Sequence, residues 1–212
     1  LDFGVAFDGD ADRAVFIDDK GNVISGSMMT TMISDYLAKE NDNLKVVHNV
    51  NVSPHALNLL TKKNIQLYRC KVGHSNIKKM MREIDADFGG EHSAHFYYKE
   101  NFYADSAILT LLIFMKIIST KEEKVSRVFE NYNFPPSSGE VNFVVKDVEE
   151  SLRNVEEVFD VDFDYLDGLT CFTENYWFNI RGSNTEPKLR VNVEGRSEKV
   201  ITEVLEKISS NI

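Results

Sequence analysis

Residues 73–98 read GHSNIKKMMREIDADFGGEHSAHFYY, and their pattern indicates the fold class. Its first half predicts a helix over Ser75–Ile84 that is capped by Ser75. Its second half predicts two short strands, Ala86–Gly90 and His95–Tyr98, with a glycine-rich polar loop between them. A helix followed by short buried strands is typical of a layered α/β domain.

The same alternation extends upstream and downstream of this stretch. Strands are predicted at 45–50 and 65–70, and helices at 28–39 and 53–63, where Ser53 is the N-cap and Pro54 the first helical residue. The apolar run 105–118 predicts a buried helix, because it is shorter than the ~20 residues of a membrane span and contains two charged residues. The alternation favours an α/β layer with a parallel or mixed sheet.

The two ends of the chain have a different pattern. Residues 3–7 predict a strand, and a hairpin with the turn DDKG follows at 14–25. Beyond a polar helix at 121–132 and the linker NFPPSSG at 133–139, strands are predicted at 140–145, 161–166, 169–173, 176–181 and 189–194, with helices at 148–159 and 198–208. This second pattern is α+β, which places a domain boundary near 120–139.

Composition excludes several classes of protein. The 212 residues carry a net charge of −10, which argues against a general nucleic-acid binder and against binding to an anionic membrane surface. Cys70 and Cys171 are isolated and have no metal-ligand spacing, which indicates a reducing, cytoplasmic setting. Because Leu1 stands in a region that looks like a strand, we expect a fragment or a processed chain.

The acidic loop FDGDADR at 7–13 is the first candidate site. Asp8, Asp10 and Asp12 alternate, so in an extended loop their carboxylates would converge on one point and suit Mg²⁺. A calcium EF-hand needs Gly and Glu where Arg13 and Asp19 stand, and an aspartyl phosphatase motif matches poorly. An acidic turn without a metal remains open, although Arg13 favours an anion such as a phosphoryl group beside the carboxylates.

Two further loops carry polar groups upstream of the linker. In GGEHSAH at 89–95, Glu91 and Ser93 suit the neighbouring hydroxyls of a sugar. Zinc bound by Glu91, His92 and His95, or a polar turn without a ligand, are the alternatives. His74 precedes a helix and can move protons or bind anions, or be a surface residue or a helix cap.

The loop RGSNTEPKLR at 181–190 is the last candidate site. It combines two arginines, a lysine, hydroxyls and a glycine. Guanidinium groups pair with phosphate through two hydrogen bonds, and backbone N–H groups can surround it. A polar hairpin without a ligand is the alternative.

These motifs, DGDADR, GHS, GGEHSAH and RGSNTEPKLR, resemble in this order those of the α-D-phosphohexomutases, and within that family the phosphomannomutase/phosphoglucomutase group. The resemblance implies interconversion of hexose 1-phosphates and 6-phosphates through a phosphoserine and a bisphosphate intermediate. It implies Mg²⁺ at Asp8, Asp10 and Asp12 together with the phosphoserine, and Arg13 beside the transferred phosphoryl group. It also implies a proton-transfer role for His74 and sugar recognition by Glu91, Ser93 and His95. The residues that the resemblance assigns to the non-reacting phosphate are Arg181, Ser183, Asn184, Thr185 and Arg190.

The resemblance also implies an architecture. Residues 1–26 would be the remnant of an α/β domain that carries the metal loop, 27–119 a three-layer α/β mixed-sheet sugar-binding domain, and 120–212 a linker helix with an α+β phosphate-binding domain. The serine loop of the family, its first domain and most of its second are not found in this sequence. We therefore expect an upstream phosphoserine-bearing segment as partner, with this chain alone binding phosphosugar without turnover. A non-catalytic phosphosugar-binding or regulatory module is the alternative.

Four positions depart from the family's pattern. Asn49 and Asn51 follow a predicted strand where relatives often carry a basic residue, which leaves that role unassigned. Ala94 and Asn184 stand where glycine is common in the family. We expect neither of these last two substitutions to be disabling.

Overall fold

The computed structural model describes residues 1–63, 65–183 and 186–212. The chain divides into two compact units, Leu1–Phe134 and Pro135–Ile212. The strands of the first unit are β1 (Gly4–Phe7), β2 (Ala14–Ile17), β3 (Val23–Ile24), β4 (Lys45–Asn49), β5 (Gln66–Cys70), β6 (Phe88–Gly90), β7 (Phe96–Tyr98) and β8 (Ala104–Asp105). Its helices are α1 (Gly26–Leu37), α2 (Pro54–Thr61), α3 (His74–Ile84), α4 (Ala107–Ser119) and α5 (Val125–Glu130).

A mixed sheet forms the centre of the first unit. Its order is β5-β4-β6-β7-β8. The strand β4 is parallel to both β5 and β6, β7 is antiparallel to β6, and β8 is antiparallel to β7. A Cβ atom at Gly89 would lie 2.8 Å from Met81 of α3, whereas one at Gly90 would lie 2.3 Å from Thr30 of α1. Since successive residues of a strand face opposite sides of a sheet, α3 and α1 cover opposite faces. This arrangement confirms the predicted three-layer α/β fold with a mixed sheet.

A small antiparallel sheet of β1, β2 and β3 precedes this layered part. Phe16 of β2 packs on Phe114 of α4 with their ring centroids 4.5 Å apart, and Phe3 meets the same ring at 4.9 Å. The backbone N–H of Ser126, in α5, donates to Asp19 Oδ1 at 2.7 Å. The first residues of the chain and α5 therefore pack within the same unit.

The second unit is α+β, as the sequence predicts. Its strands are β9 (Ser137–Val144), β10 (Phe163–Asp164), β11 (Leu169–Phe172), β12 (Tyr176–Gly182) and β13 (Lys188–Gly195), in the antiparallel order β10-β11-β12-β13-β9. The helices α6 (Val148–Val158) and α7 (Glu198–Ser209) supply Val155, Ile201 and Val204 to a core with Phe178 and Val191 of the sheet.

Several element limits differ from the prediction. The helix α3 begins at His74 after Gly73, with no side-chain cap, so the prediction that Ser75 caps it is wrong. Asp105 belongs to β8 instead of the following helix, because Ser106 Oγ accepts the N–H of Leu109 and starts α4 there. Residues 137–139 of the predicted linker extend β9.

The domain limits proposed from the sequence remain a prediction. The division between the two units lies at Phe134/Pro135, inside the predicted 133–139 linker. The helix α5, which the sequence places with the C-terminal domain, contributes Val125 and Phe129 to the core of the first unit. No helix in the described parts of the chain is both long enough and apolar enough to cross a membrane.

Replacement of Phe114 by alanine tests the packing between α4 and the β1–β3 sheet. The ring is fully buried against Phe16 and Phe3, so we expect the variant to lose about 3–5 kcal/mol of unfolding free energy in urea. Leu112→Ala is the matched control, because this residue of the same helix is 57% exposed. Equal losses in both variants would contradict the packing described here.

Candidate functional site

The acidic loop at 7–13 forms a turn between β1 and β2. Ala11 has a φ of 58°, and its N–H donates to the Asp8 carbonyl at 3.2 Å. The carboxylate oxygens of Asp8, Asp10 and Asp12 come within 4.8 Å of one another. The carboxylates therefore converge, but they do so through a turn and not through the extended backbone that the sequence analysis assumed.

Arg13 neutralises one of these carboxylates. Its Nε donates to Asp8 Oδ2 at 2.6 Å and its backbone N–H to Asp8 Oδ1 at 3.2 Å. The guanidinium group is the main reason why the pKa of Asp8 lies at about 2, below the ordinary value of 3.8 for an aspartate. Burial and the neighbouring carboxylates raise the pKa of Asp12, although the His95 imidazole opposes this effect.

The acidic turn meets the glycine-rich loop. Arg13 and His95 form an antiparallel backbone bridge, and Asp12 Oδ1 lies 3.8 Å from His95 Nδ1. Asp12 Oδ1 is buried, and no donor within the described ranges hydrogen-bonds to it. Two of the predicted motifs therefore lie next to each other within the first unit.

A carboxylate that the sequence analysis missed fixes His95. His95 Nδ1 lies 2.9 Å from Asp105 Oδ2, and Lys78 Nζ lies 2.8 Å from Asp105 Oδ1. Burial alone would raise the pKa of Asp105, but the bond to Lys78 helps to bring it below its usual value. The ionised Asp105 therefore favours the His95 tautomer that carries its proton on Nδ1.

Glu91 is 2% exposed and follows β6 directly. Its Oε2 accepts from Asn49 Nδ2 at 2.8 Å, and its Oε1 accepts from the Tyr97 hydroxyl at 2.5 Å. Asn49 Oδ1 accepts the N–H of Asn51 at 3.0 Å, which fixes the amide with its NH₂ group toward Glu91. Burial, together with the Glu91 charge, raises the pKa of Tyr97, so this hydroxyl remains a donor. Neutral donors from β4 and β7, the strands on either side of β6, thus hold the carboxylate.

The two other polar residues of this loop are Ser93 and His92. Ser93 is exposed at the turn, and His92 Nδ1 lies 3.3 Å from Ser27 Oγ on α1. A Cβ atom at Gly26 would lie 2.3 Å from the Glu91 carbonyl, so the first turn of α1 approaches the loop closely. Within the described residues, Glu91, His92 and His95 do not bring three ligand atoms together.

His74 lies at the same edge of the sheet as Glu91. It is the exposed first residue of α3, shortly after β5, and Glu91 follows the parallel strand β6. The carboxyl ends of parallel strands form the edge where ligands bind in open α/β sheets. The His74 imidazole makes no hydrogen bond or ion pair with another described residue, so the structure brings it to this edge without joining it to the acidic turn.

In the second unit, the predicted phosphate loop is a hairpin between β12 and β13. The N–H of Ser183 donates to the Lys188 carbonyl at 2.8 Å. Arg181 and Arg190, the two ends of the quoted motif, lie on β12 and β13, as the strands predicted at 176–181 and 189–194 imply, and they face each other in register. Glu140 of β9 reaches both, with Oε1 2.9 Å from Arg190 Nη1 and Oε2 3.5 Å from Arg181 Nη2. Asn184 and Thr185 lie outside the described residues.

Comparisons with known proteins identify the family. Residues 25–133 match the model of phosphoglucomutase/phosphomannomutase, alpha/beta/alpha domain III, and residues 140–210 match the model of the C-terminal domain of the same family. The chain belongs to the phosphoglucomutase/phosphomannomutase family. The α-D-phosphohexomutase resemblance drawn from the four motifs is thereby confirmed.

Curated relatives are longer than this chain. It is 39% identical over 212 residues to a phosphomannomutase of Methanocaldococcus jannaschii, covering 100% of this chain and 47% of that protein. It is 32% identical over 206 residues to a phosphomannomutase of Escherichia coli, covering 95% of this chain and 45% of that protein. The chain spans about half the length of the curated relatives it matches.

Solved structures share the fold. An X-ray structure of a phosphoglucomutase/phosphomannomutase family protein from Burkholderia thailandensis superposes with a TM-score of 0.85 at 22% identity, covering 99% of this chain and 46% of that one. N-acetylphosphoglucosamine mutase of Aspergillus fumigatus, in complex with GlcNAc-6P and magnesium, gives 0.75 at 15% identity, covering 98% and 48%. At these identities the likeness concerns the fold alone.

The contact between Arg13 and Asp8 can be tested by titration. In Arg13→Ala we expect the pKa of Asp8 to rise by roughly one unit or more, because the adjacent cation is lost. Carboxyl NMR measures this pKa directly. With the wild-type value of about 2, against 3.8, Asp8 stabilises the fold above pH 3.8, and this contribution disappears as the pH falls through about 2.

Lys20→Ala is the control for this titration, because Lys20 bonds to Glu130 instead. It should leave the pKa of Asp8 unchanged. An Asp8 pKa that stays near 2 without Arg13 would show that another group lowers it.

Proposed function

We propose that this chain is part of a phosphomannomutase/phosphoglucomutase that interconverts hexose 1-phosphates and 6-phosphates through a phosphoserine and a bisphosphate. The observation that carries the proposal is the bridge between Arg13 and His95, which joins the acidic turn to the loop of Glu91. A cation-binding turn beside a carboxylate suited to sugar hydroxyls is the combination that phosphosugar chemistry requires.

In this proposal the acidic turn holds Mg²⁺. The three carboxylates lie close together. Among the described residues, only Asp8 accepts a hydrogen bond from a guanidinium group, and Asp12 Oδ1 is buried without a hydrogen-bond donor. This donor set of hard oxygen atoms fits Mg²⁺. When bound, the ion would offset charge on phosphoryl oxygens. Arg13 is proposed to pair with a phosphoryl group that approaches the turn.

The sugar-binding role goes to Glu91 and Ser93, with His95 as support. Asn49 and Tyr97 each occupy one Glu91 oxygen, but a carboxylate oxygen can accept a second bond, so capacity for a hydroxyl remains. His74, on the same sheet edge, is proposed to take part in proton transfer.

The second unit is proposed to hold the phosphate that does not react. Arg181 and Arg190 offer paired guanidinium groups, Ser183 adds a hydroxyl, and Asn184 and Thr185 complete the set by their place in the sequence. Guanidinium groups recognise a phosphate without reading which sugar carbon carries it. Such a grip suits a substrate that binds in two orientations.

Turnover in this proposal needs a phosphoserine segment beyond the part of the relatives that this chain spans. We expect the chain alone to bind glucose 1-phosphate without converting it, and conversion to glucose 6-phosphate when that segment is supplied from the same coding frame. If the frame encodes no such segment, the non-catalytic phosphosugar-binding or regulatory module becomes the better interpretation.

The proposed metal site predicts a loss of Mg²⁺ affinity in Asp10→Asn. Asp10 is exposed, and its replacement leaves the Arg13–Asp8 pair intact. We expect calorimetry to show affinity weaker by roughly tenfold or more, since even supporting residues of metal sites have effects of this order. Asp42→Asn, an exposed change of equal charge, is the control, and equal affinities in all three proteins would refute the site.

The proposed phosphate grip predicts that Arg181→Ala loses binding of glucose 1-phosphate. Because charge-assisted hydrogen bonds contribute about 1.5–3 kcal/mol each, calorimetry should show affinity weaker by at least tenfold. Arg196→Ala, which removes an exposed arginine bonded to Glu174 in the same unit, should bind as the wild type does.

Arg181 is buried, so the fold of the variant needs its own check. Arg181→Lys keeps the charge but not the fork of donors, and it should bind with intermediate affinity. Unchanged affinity in a folded Arg181→Ala protein would defeat the assignment.

A further inference from the structure

The two arginines of the proposed phosphate grip share one carboxylate within their own unit. Arg181 on β12 and Arg190 on β13 occupy directly opposite positions of the antiparallel pair. Like charges in such positions destabilise a sheet. Glu140 of β9 pairs in register with Asn192, two residues along β13 from Arg190, and so lies diagonally from it on the same face.

The carboxylate of Glu140 divides its two oxygens between the guanidinium groups. Oε1 lies 2.9 Å from Arg190 Nη1, and Oε2 lies 3.5 Å from Arg181 Nη2. The Arg181 side chain is 11% exposed, whereas those of Arg190 and Glu140 are 33% and 31% exposed. The carboxylate is therefore partly open to solvent, at the point where an arriving anion would meet the same donors.

We propose that Glu140 is a built-in competitor of the phosphate, a residue that limits how tightly the arginine pair holds its ligand. This inference rests on the proposed phosphate-binding role of Arg181 and Arg190. A phosphate that binds there must share or displace the Glu140 contacts and sits beside a carboxylate of its own sign. Glu140 therefore weakens the binding of the phosphate and accelerates its dissociation.

A limited affinity for phosphate is useful in the proposed reaction. If the sugar turns over between two phosphoryl transfers, the non-reacting phosphate must leave the grip and be replaced by the other one. Two guanidinium groups with no internal carboxylate would bind a phosphate more tightly and slow this exchange. Glu140 holds the pair ready without a ligand and is a weaker ligand than the phosphate that replaces it, since it carries one charge instead of about two.

A purely structural role makes the opposite prediction. If Glu140 only positioned the guanidinium groups, its loss would disorder them and weaken anion binding. Glu140→Gln separates the two cases, because the amide oxygen still accepts a bond from a guanidinium group while the charge is removed.

The test is calorimetric titration of the full chain and of Glu140→Gln with inorganic phosphate and with glucose 1-phosphate. We expect Glu140→Gln to bind both ligands tighter by roughly fivefold to tenfold, the order for removal of one partly exposed like charge. Glu174→Gln is the matched control, since Glu174 also pairs with an arginine of this unit, at 2.9 Å from Arg196. The same change of net charge there should leave both affinities unchanged.

The outcomes distinguish this inference from the proposed function. Equal or weaker binding by Glu140→Gln, with measurable binding by the wild type, overturns the competitor role and leaves the phosphate grip in place. Tighter binding by Glu140→Gln and Glu174→Gln alike also overturns it, because a general charge effect would then suffice. Failure of every protein to bind at millimolar ligand overturns both proposals.

Discussion

Crowding of carboxylates in the turn between β1 and β2 is the constraint on which the site of the first unit depends. Three side chains of one charge meet there, and burial already disfavours the charge on Asp12. Arg13 relieves Asp8 through its guanidinium group and, through its backbone, pairs with His95. One residue therefore offsets the repulsion and also fixes the loop of Glu91 beside the turn.

Two carboxylates of the same unit, Asp105 and Glu91, are held by different kinds of donor. Asp105 is paired with the Lys78 cation and bonds to His95, so its charge is largely compensated. Glu91 accepts one hydrogen bond on each oxygen, from the neutral donors Asn49 and Tyr97. Neutral donors orient a carboxylate without cancelling its charge, so Glu91 keeps more acceptor strength for a hydroxyl than Asp105 does. This contrast favours Glu91 as the group that meets a ligand.

Features of the fold that depend on residues close together along the chain can be predicted from the sequence. The Ser53 cap of α2 and the α/β and α+β patterns follow from local signals, and the structure bears them out. Ser75 fails as a cap because His74 already belongs to the helix. Asp105 and Lys78 escape prediction because their pairing requires β8 and α3 to pack around β7. His74 and Lys78 are four residues apart and therefore share one face of α3. This spacing was the signal in the sequence that pointed to Lys78 as a residue near the candidate site.

In the second unit the like charges that repel each other are positive instead of negative. Arg181 and Arg190 repel each other across the β12–β13 pair, and Glu140 offsets the repulsion from the next strand. A buried apolar neighbour could not do this, because the buried Arg181 and the partly exposed Arg190 would then depend on solvent alone to compensate their charge. A carboxylate that stabilises the pair necessarily also occupies donors that an anion would use. The contacts that stabilise the arginine pair without a phosphate therefore reduce its affinity for one. Because the Glu140 side chain is partly exposed, it can bond to the arginines or be displaced by the phosphate.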